Sequence, residues 1–367
     1  MSVLGALLFS LAGSQPAAVI ASAKREPAQP LLLEWQAGEI TCDDGQTRPA
    51  SLIPEPFPRR SMRSPSRPSE ATYRFTLGAE GRAMSIDFVK PERDGVIDPA
   101  PGYRQDLAPA LSAASFEPVD EPVQCTVPFT EVATPMSEAP LEDIIRLRIA
   151  ARGARVPSEV WSRFSPGNCR DKRLKTLLRG YPDFRKVEPI PGANHWTFVS
   201  YDISPAGDPA NVRVIDSSGS DQLNAEVTSA VESSLYVDGE PRTGCWYYYF
   251  KGAGVIEEPE RPDLSPYGDQ PEACEADDRW AVEPRLNYPR DYQRRGIEGW
   301  VTFRYDVAPW GKIGNVEVID AQPAMDLVRY AQPVLTSAEY KPSKSGLSGC
   351  IERVVFKLPE KGAQSED

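Results

Sequence analysis

The run Trp300-Val301-Thr302-Phe303-Arg304-Tyr305-Asp306-Val307-Ala308-Pro309-Trp310-Gly311 decides the fold. Val301, Phe303, Tyr305 and Val307 alternate with more polar residues, the period of a strand with one buried face. Pro309 and Gly311 are turn residues. A second alternating run follows at 313–319, so the pair reads as an antiparallel hairpin. Tyr288-Pro289 and Gly296-Ile297-Glu298-Gly299 lead into it. A short helical segment is expected to end at Glu339-Tyr340-Lys341-Pro342, and a third strand spans 350–358. Two strands, a helix and a strand make a small α+β unit.

This stretch resembles the C-terminal domain of TonB, the periplasmic end of the bacterial energy transducer. The resemblance rests on Tyr288-Pro289, the turn 296–299, Val301 and Phe303, Asp306, Gly311, Asn315-Val316, Tyr340-Lys341-Pro342 and Phe356-Lys357. Order and spacing over about seventy residues are more specific than a short motif.

Similar residues recur upstream. The run 195–205 matches 299–309 at an offset of 104 (299 − 195), and the same offset carries 211–216 onto 315–320 and Tyr236 onto Tyr340. Tyr181-Pro182 echoes Tyr288-Pro289 after a short shift. A fainter copy has strands at 73–77 and 86–89, Gly81 as its turn, and 110–118 echoing 334–342. Pro109 and Pro333 each precede the echoing aromatic by seven residues (116 − 109; 340 − 333), which places proline in the first turn of a short helix. Three tandem TonB-C-like units are therefore expected, each a three-stranded antiparallel sheet with one or two short helices. Their bounds are 30–135, 166–252 and 268–360, with 30–135 the most degenerate.

The six cysteines follow the same repeat. Taken in consecutive pairs they stand 83 (125 − 42), 76 (245 − 169) and 76 (350 − 274) residues apart. Bridges Cys42–Cys125, Cys169–Cys245 and Cys274–Cys350 give one disulfide per unit; free buried thiols are the competing reading. Zinc lacks its signature, because no C-x-x-C and no histidine cluster is present.

Residues 1–23 carry an apolar run at 3–12 and Ala21-Ser22-Ala23 before Lys24, the pattern of a secretory signal peptide. No cation precedes the apolar run, so an uncleaved anchor competes; Pro16 and the placement of Lys24-Arg25 count against it. Either reading exports the chain to the periplasm. A helical linker is expected at 136–165, with Leu141, Ile144, Ile145 and Ala150 on one face up to Gly153 and a second short helix at 157–164. Residues 253–267 read as an acidic Pro-rich linker, and 361–367 as a frayed tail.

Of 367 residues, 40% are hydrophobic, enough for packed cores, and the net charge of −12 argues against nucleic-acid binding. The lone histidine, His195, opens a strand and reads as an edge or turn residue, not a base. With no phosphate-cradling loop either, the chain reads as a non-enzyme without cofactors. The charged final strand looks like a protected sheet edge, and such an edge can accept an extended peptide. The TonB resemblance makes this concrete: it implies capture of outer-membrane receptor peptides at the last strand, near the Tyr-Pro segment. The implied residues are Arg285, Leu286, Asn287, Tyr288 and Pro289, with Ile351, Arg353 and Val355 on the strand. The family commonly has glutamines before Tyr-Pro, where this chain has Arg285 and Asn287. An anchored N-terminus would add inner-membrane motor proteins as partners. The rival readings are a soluble scaffold whose units pair with one another through all three final strands, or an envelope-linking protein similar to the TolA C-terminal domain. Between Arg163 and Lys186, eight cations face only Asp171 and Asp183. They read as a solvated helix face, or as a patch for an acidic receptor surface or anionic polymer.

Overall fold

A computed structural model describes residues 29–50, 54–62, 69–90, 104, 106–150, 156 and 160–359. Residues 1–23, the tail 361–367 and Gly153 lie outside them, as do 157–159 of the second linker helix. The structure is α+β, with antiparallel sheets, few helices and three disulfides, Cys42–Cys125, Cys169–Cys245 and Cys274–Cys350.

The first sheet departs from the expected three strands. It is built from β1 (Leu31–Ala37), β2 (Thr41–Cys42), β3 (Arg59–Ser61), β4 (Glu70–Leu77), β5 (Ala83–Val89) and, after helix α1 (Leu107–Ser112), β6 (Val123–Pro135). The order is β3-β1-β6-β4-β5, with β2 also on β6. β4 takes β5 on one side and β6 on the other. The addition is on the outer side of β6, where β1 pairs antiparallel from Leu31↔Pro135 to Ala37↔Phe129. Leu31, Leu32, Leu33 and Trp35 are buried there. An apolar leading segment thus satisfies an open edge instead of exposing itself to water.

Helices α2 (Leu141–Ala150) and α3 (Trp161–Phe164) follow. Ile144 and Ile145 are buried as their spacing predicts. They share a cluster with Leu32 of β1 and Phe164 and Phe198, so the segment packs between the first and second sheets.

The second sheet sets β8 (His195–Ile203) between β9 (Pro209–Ser217) and, after α4 (Asp221–Glu232), β11 (Arg242–Lys251). A two-stranded ribbon joins β7 (Thr176–Leu178) to β10 (Leu235–Tyr236). Arg163 is in α3, but from Arg170 on the cation-rich stretch is loop, ribbon and a 3-10 turn at Phe184–Lys186, not a helix face. Helical spacing never had to be met, because the leucines there pair across the ribbon. His195 is also not at an edge: it opens the central strand opposite Lys251 and is buried. Burial lowers its pKa, with Glu188 partly offsetting.

The third sheet repeats this plan with ribbon β12 (Trp280–Val282), helix α5 (Arg290–Arg295), β13 (Gly299–Val307), β14 (Ile313–Gln322), helix α6 (Val328–Ser337), the ribbon partner β15 (Glu339–Tyr340) and β16 (Leu347–Phe356). β13 lies between β14 and β16. Two local readings change. The helical segment stops at Ser337, and Glu339-Tyr340 is strand. Pro333 is inside α6, not in its first turn, because the helix starts at Val328 behind a 3-10 turn; Pro109 is in the first turn of α1.

Shared details tie the second and third sheets. The Tyr201 and Tyr236 hydroxyls meet at 2.7 Å, as do those of Tyr305 and Tyr340. Asn211 and Asn315 both adopt positive φ, and each amide donates to an aspartate, Asp202 or Asp306, at 2.8 Å. Gly311 has φ +91°, and a Cβ there would stand 2.1 Å from the Tyr340 carbonyl oxygen, so glycine is required. The cores are not separate beads. One cluster joins Phe75, Ile86 and Leu111 of the first sheet's layer to Tyr292, Phe303 and Leu327 of the third's. Ile86 N–H donates to the Pro323 carbonyl at 2.9 Å across that junction.

Candidate functional site

β16 is an edge strand: β13 pairs one side of it, and among the described strands none pairs the other. Ile351 stands opposite Arg304, Arg353 opposite Thr302 and Val355 opposite Trp300. The Ile351 N–H turns away from β13 and donates to the Gln270 side-chain oxygen at 2.8 Å. Backbone groups alternate along a strand, so those of Arg353 and Val355 face outward as well. The three residues form the rungs that an added strand would use.

Their side chains lie on the face of the sheet away from the shared core. Trp300 and Thr302 are buried there, under the residues before β12. The Trp300 indole N–H donates to the Pro259 carbonyl at 3.0 Å, and Arg304 donates to the Tyr267 carbonyl. Arg353 donates to Thr302 Oγ1 at 2.9 Å and to the Pro262 carbonyl at 2.8 Å, its guanidinium 4.8 Å from the Trp300 ring centre. The Pro-rich stretch is thus a strap held by carbonyls. Proline costs these contacts nothing, because at Pro259 and Pro262 it is the carbonyl that is used and no N–H is needed.

The Tyr-Pro segment divides. Tyr288 sits on the strand, its ring edge-on to Phe356 at 5.7 Å, its hydroxyl donating to the Ile297 carbonyl at 2.6 Å. Burial, aided by Glu298 and Glu258, raises its phenol well above the usual range. Pro289 is buried and precedes α5. Both residues fix the entry of the chain into the domain. Arg285, Leu286 and Asn287 stand exposed in the extended stretch before them.

Gln270, Trp300 and the strap carbonyls had no signal in the sequence. The strap's acidic, proline-rich composition is that of a linker, and backbone acceptors leave no residue-type signature. The first sheet offers a comparison: the outer side of β6 is filled by β1 and β2, with Gly38 N–H donating to the Pro128 carbonyl at 2.7 Å. β11, like β16, is a sheet edge. The scaffold reading expected all three final strands to be paired internally; among the described strands only β6 is paired on both sides.

No helix among the described residues is long and apolar enough to cross a membrane. Residues 284–358 match the family model of the Gram-negative bacterial TonB protein C-terminal. The chain is similar to Protein TonB of Escherichia coli (strain K12), 35% identical over 71 residues, which is 19% of this chain and 29% of the relative. Protein TonB of Salmonella typhimurium is 34% identical over 71 residues, again 19% and 29%. That of Klebsiella pneumoniae is 32% identical over 77 residues, 21% of this chain and 30% of the relative. The chain thus spans under a third of the length of these relatives.

Proposed function

Residues 284–358 belong to the TonB C-terminal family, and on that premise we propose that the chain is a non-enzymatic periplasmic protein of energy-coupled transport. It binds extended peptides of outer-membrane receptors by adding them as a strand to β16. The observation that carries the reading is the open edge at Arg353 and Val355, beside a Tyr288 already packed on that strand. Backbone pairing supplies affinity in this mode, and the flanking side chains supply selectivity. Arg285, Leu286 and Asn287, exposed before Tyr288, are the selectivity residues of this reading.

The three sheets are tandem units of one design. The first has closed its edge with its own chain, and of the two that keep an open final strand the third carries the family match, which makes it the receptor-binding unit of this reading. Its partners are TonB-dependent receptors, with inner-membrane motor proteins added where the N-terminus stays as an anchor.

The test is calorimetric titration of the chain with a synthetic TonB-box peptide and with the same peptide N-methylated at alternate residues. Saturable binding that N-methylation weakens about tenfold or more supports strand addition. The absence of saturable binding, or equal binding of both peptides, overturns it.

A further inference from the structure

The ribbon of the second sheet and that of the third occupy the same place. Leu178 pairs Leu235 and Thr176 pairs Tyr236 in the one; Trp280 pairs Tyr340 and Val282 spans to Glu339 in the other. Val237 N–H donates to the Lys175 carbonyl at 2.9 Å, as Lys341 N–H donates to that of Arg279 at 2.8 Å. The backbones agree, but the surfaces do not. In the third sheet β12 carries a single large exposed apolar side chain, Val282, and the other side of the ribbon is ion-paired, with Lys341 on Asp278 at 2.8 Å and Lys312 on Glu339. The second sheet has Val237 and Leu235 in place of Lys341 and Glu339, and Leu177 and Leu178 in place of Ala281 and Val282.

These side chains face water. Leu177 is 68% exposed, Leu178 54%, Leu235 43%, Val237 42%, and nearby Tyr181 71%. Tyr236 anchors the ribbon to the core of the second sheet, while Leu177, Leu178, Leu235 and Val237 stay on its water-facing side. Cations flank it: Arg173 and Lys175 lead into β7, and Arg179 follows it with its guanidinium 4.2 Å from the Tyr247 ring centre. Lys172 pairs with Glu240 at 3.2 Å. Asp171 and Asp238 are the other acids adjoining in sequence. Among the described residues no carboxylate forms an ion pair with Arg173 or Lys175.

We infer that this ribbon is a docking tip for an anionic lipid surface. Exposed leucines and a tyrosine enter the headgroup boundary, and long cationic side chains reach back to the phosphates. Two features favour a bilayer over a protein partner. Exposed leucines stand beside the cations, and a lipid surface takes both where an acidic polypeptide takes the charges alone. The cations stand out in a chain of net charge −12, which long-range fields would otherwise keep away from an anionic membrane. The inference is independent of the peptide edge on β16.

The test is co-sedimentation of the chain beginning at Lys24, which keeps every described residue, with vesicles of phosphatidylcholine alone or mixed with phosphatidylglycerol. Binding to the mixed vesicles only, weakened by added salt, is expected. Leu177→Ser with Leu178→Ser, and separately Arg173→Glu with Lys175→Glu, should each lower partitioning about tenfold or more. Thermal unfolding should be unchanged, since these side chains are exposed. Val282→Ser on the third sheet's ribbon should leave binding intact. No dependence on phosphatidylglycerol, or undiminished binding by both double variants, overturns the proposal. Capture by poly-glutamate without vesicle binding assigns the tip to an acidic polypeptide and also overturns it.

Discussion

Arg295 and Asp106 lie 189 residues apart in sequence and form a two-pronged ion pair, Nε to Oδ1 at 2.8 Å and Nη2 to Oδ2 at 2.5 Å. Arg295 ends α5 of the third sheet; Asp106 precedes α1 of the first. The Arg295 side chain is 2% exposed and also donates to the Glu55 carbonyl at 2.9 Å. The pair pins the two layers beside their shared core. Removing one partner of such a pair leaves a buried charge alone, at a cost of about 3–5 kcal/mol. Arg295→Ala is expected to destabilise by that amount in urea unfolding, with the first and third sheets melting together. Arg295→Met with Asp106→Leu should cost clearly less.

At the β16 edge, two variants should move peptide affinity in opposite directions. Val355→Pro removes an outward N–H, and about a tenfold loss of TonB-box peptide binding is expected. Gln270→Ala frees the Ile351 N–H and should tighten binding severalfold, which titration of the full chain would register. If Gln270→Ala binds peptide no more tightly, the strap does not compete for that rung.

Glu34 on β1 is half-buried among Asp143, Arg146 and Glu55. Burial first, then Asp143, pushes its carboxyl up to about 7, although Arg146 at 3.6 Å pulls the other way. Because the folded value lies above the unfolded 4.5, protonation favours the fold. The stability is full below pH 4.5 and is lost as pH rises through about 7. After allowance for solvent screening, the loss is about 1–2 kcal/mol. Denaturant midpoints measured across that range should fall for the wild type and flatten for Glu34→Gln.

Cys42 is on β2 and Cys125 on β6, directly opposite each other. Their bridge fastens the segment that closes the first edge. Cys42→Ser with Cys125→Ser should destabilise by about 2–4 kcal/mol. Amide exchange should rise first in β1 and β2, and a uniform rise across all three sheets would count against a local role.

What could be read from the chain alone follows short-range rules. The hairpin 301–318 came from period-2 alternation and turn residues, and the three cysteine pairings from a repeated spacing. These signals survive because a strand's faces and a turn's φ are set by neighbours in sequence. The strand β16 was legible for the same reason, whereas a peptide role for Ile351, Arg353 and Val355 came from the resemblance. Misread were places where a distant segment competes. Residues 31–37 cover β6; Pro333 lies inside a helix that begins earlier; the cations of 170–179 flank a ribbon.

The sequence by itself determined the local plan: hairpin, helix and final strand, with a cystine to each sheet. Tertiary structure alone decided which final strands stay open. An edge is closed by whichever segment reaches it, and that depends on packing between residues far apart in the chain. β1 fills the side of β6, whereas among the described residues Gln270 of the strap caps β16 at Ile351 and no strand covers it. The union of the first and third layers was likewise invisible, because Arg295 and Asp106 look like ordinary surface charges until the fold removes both from water.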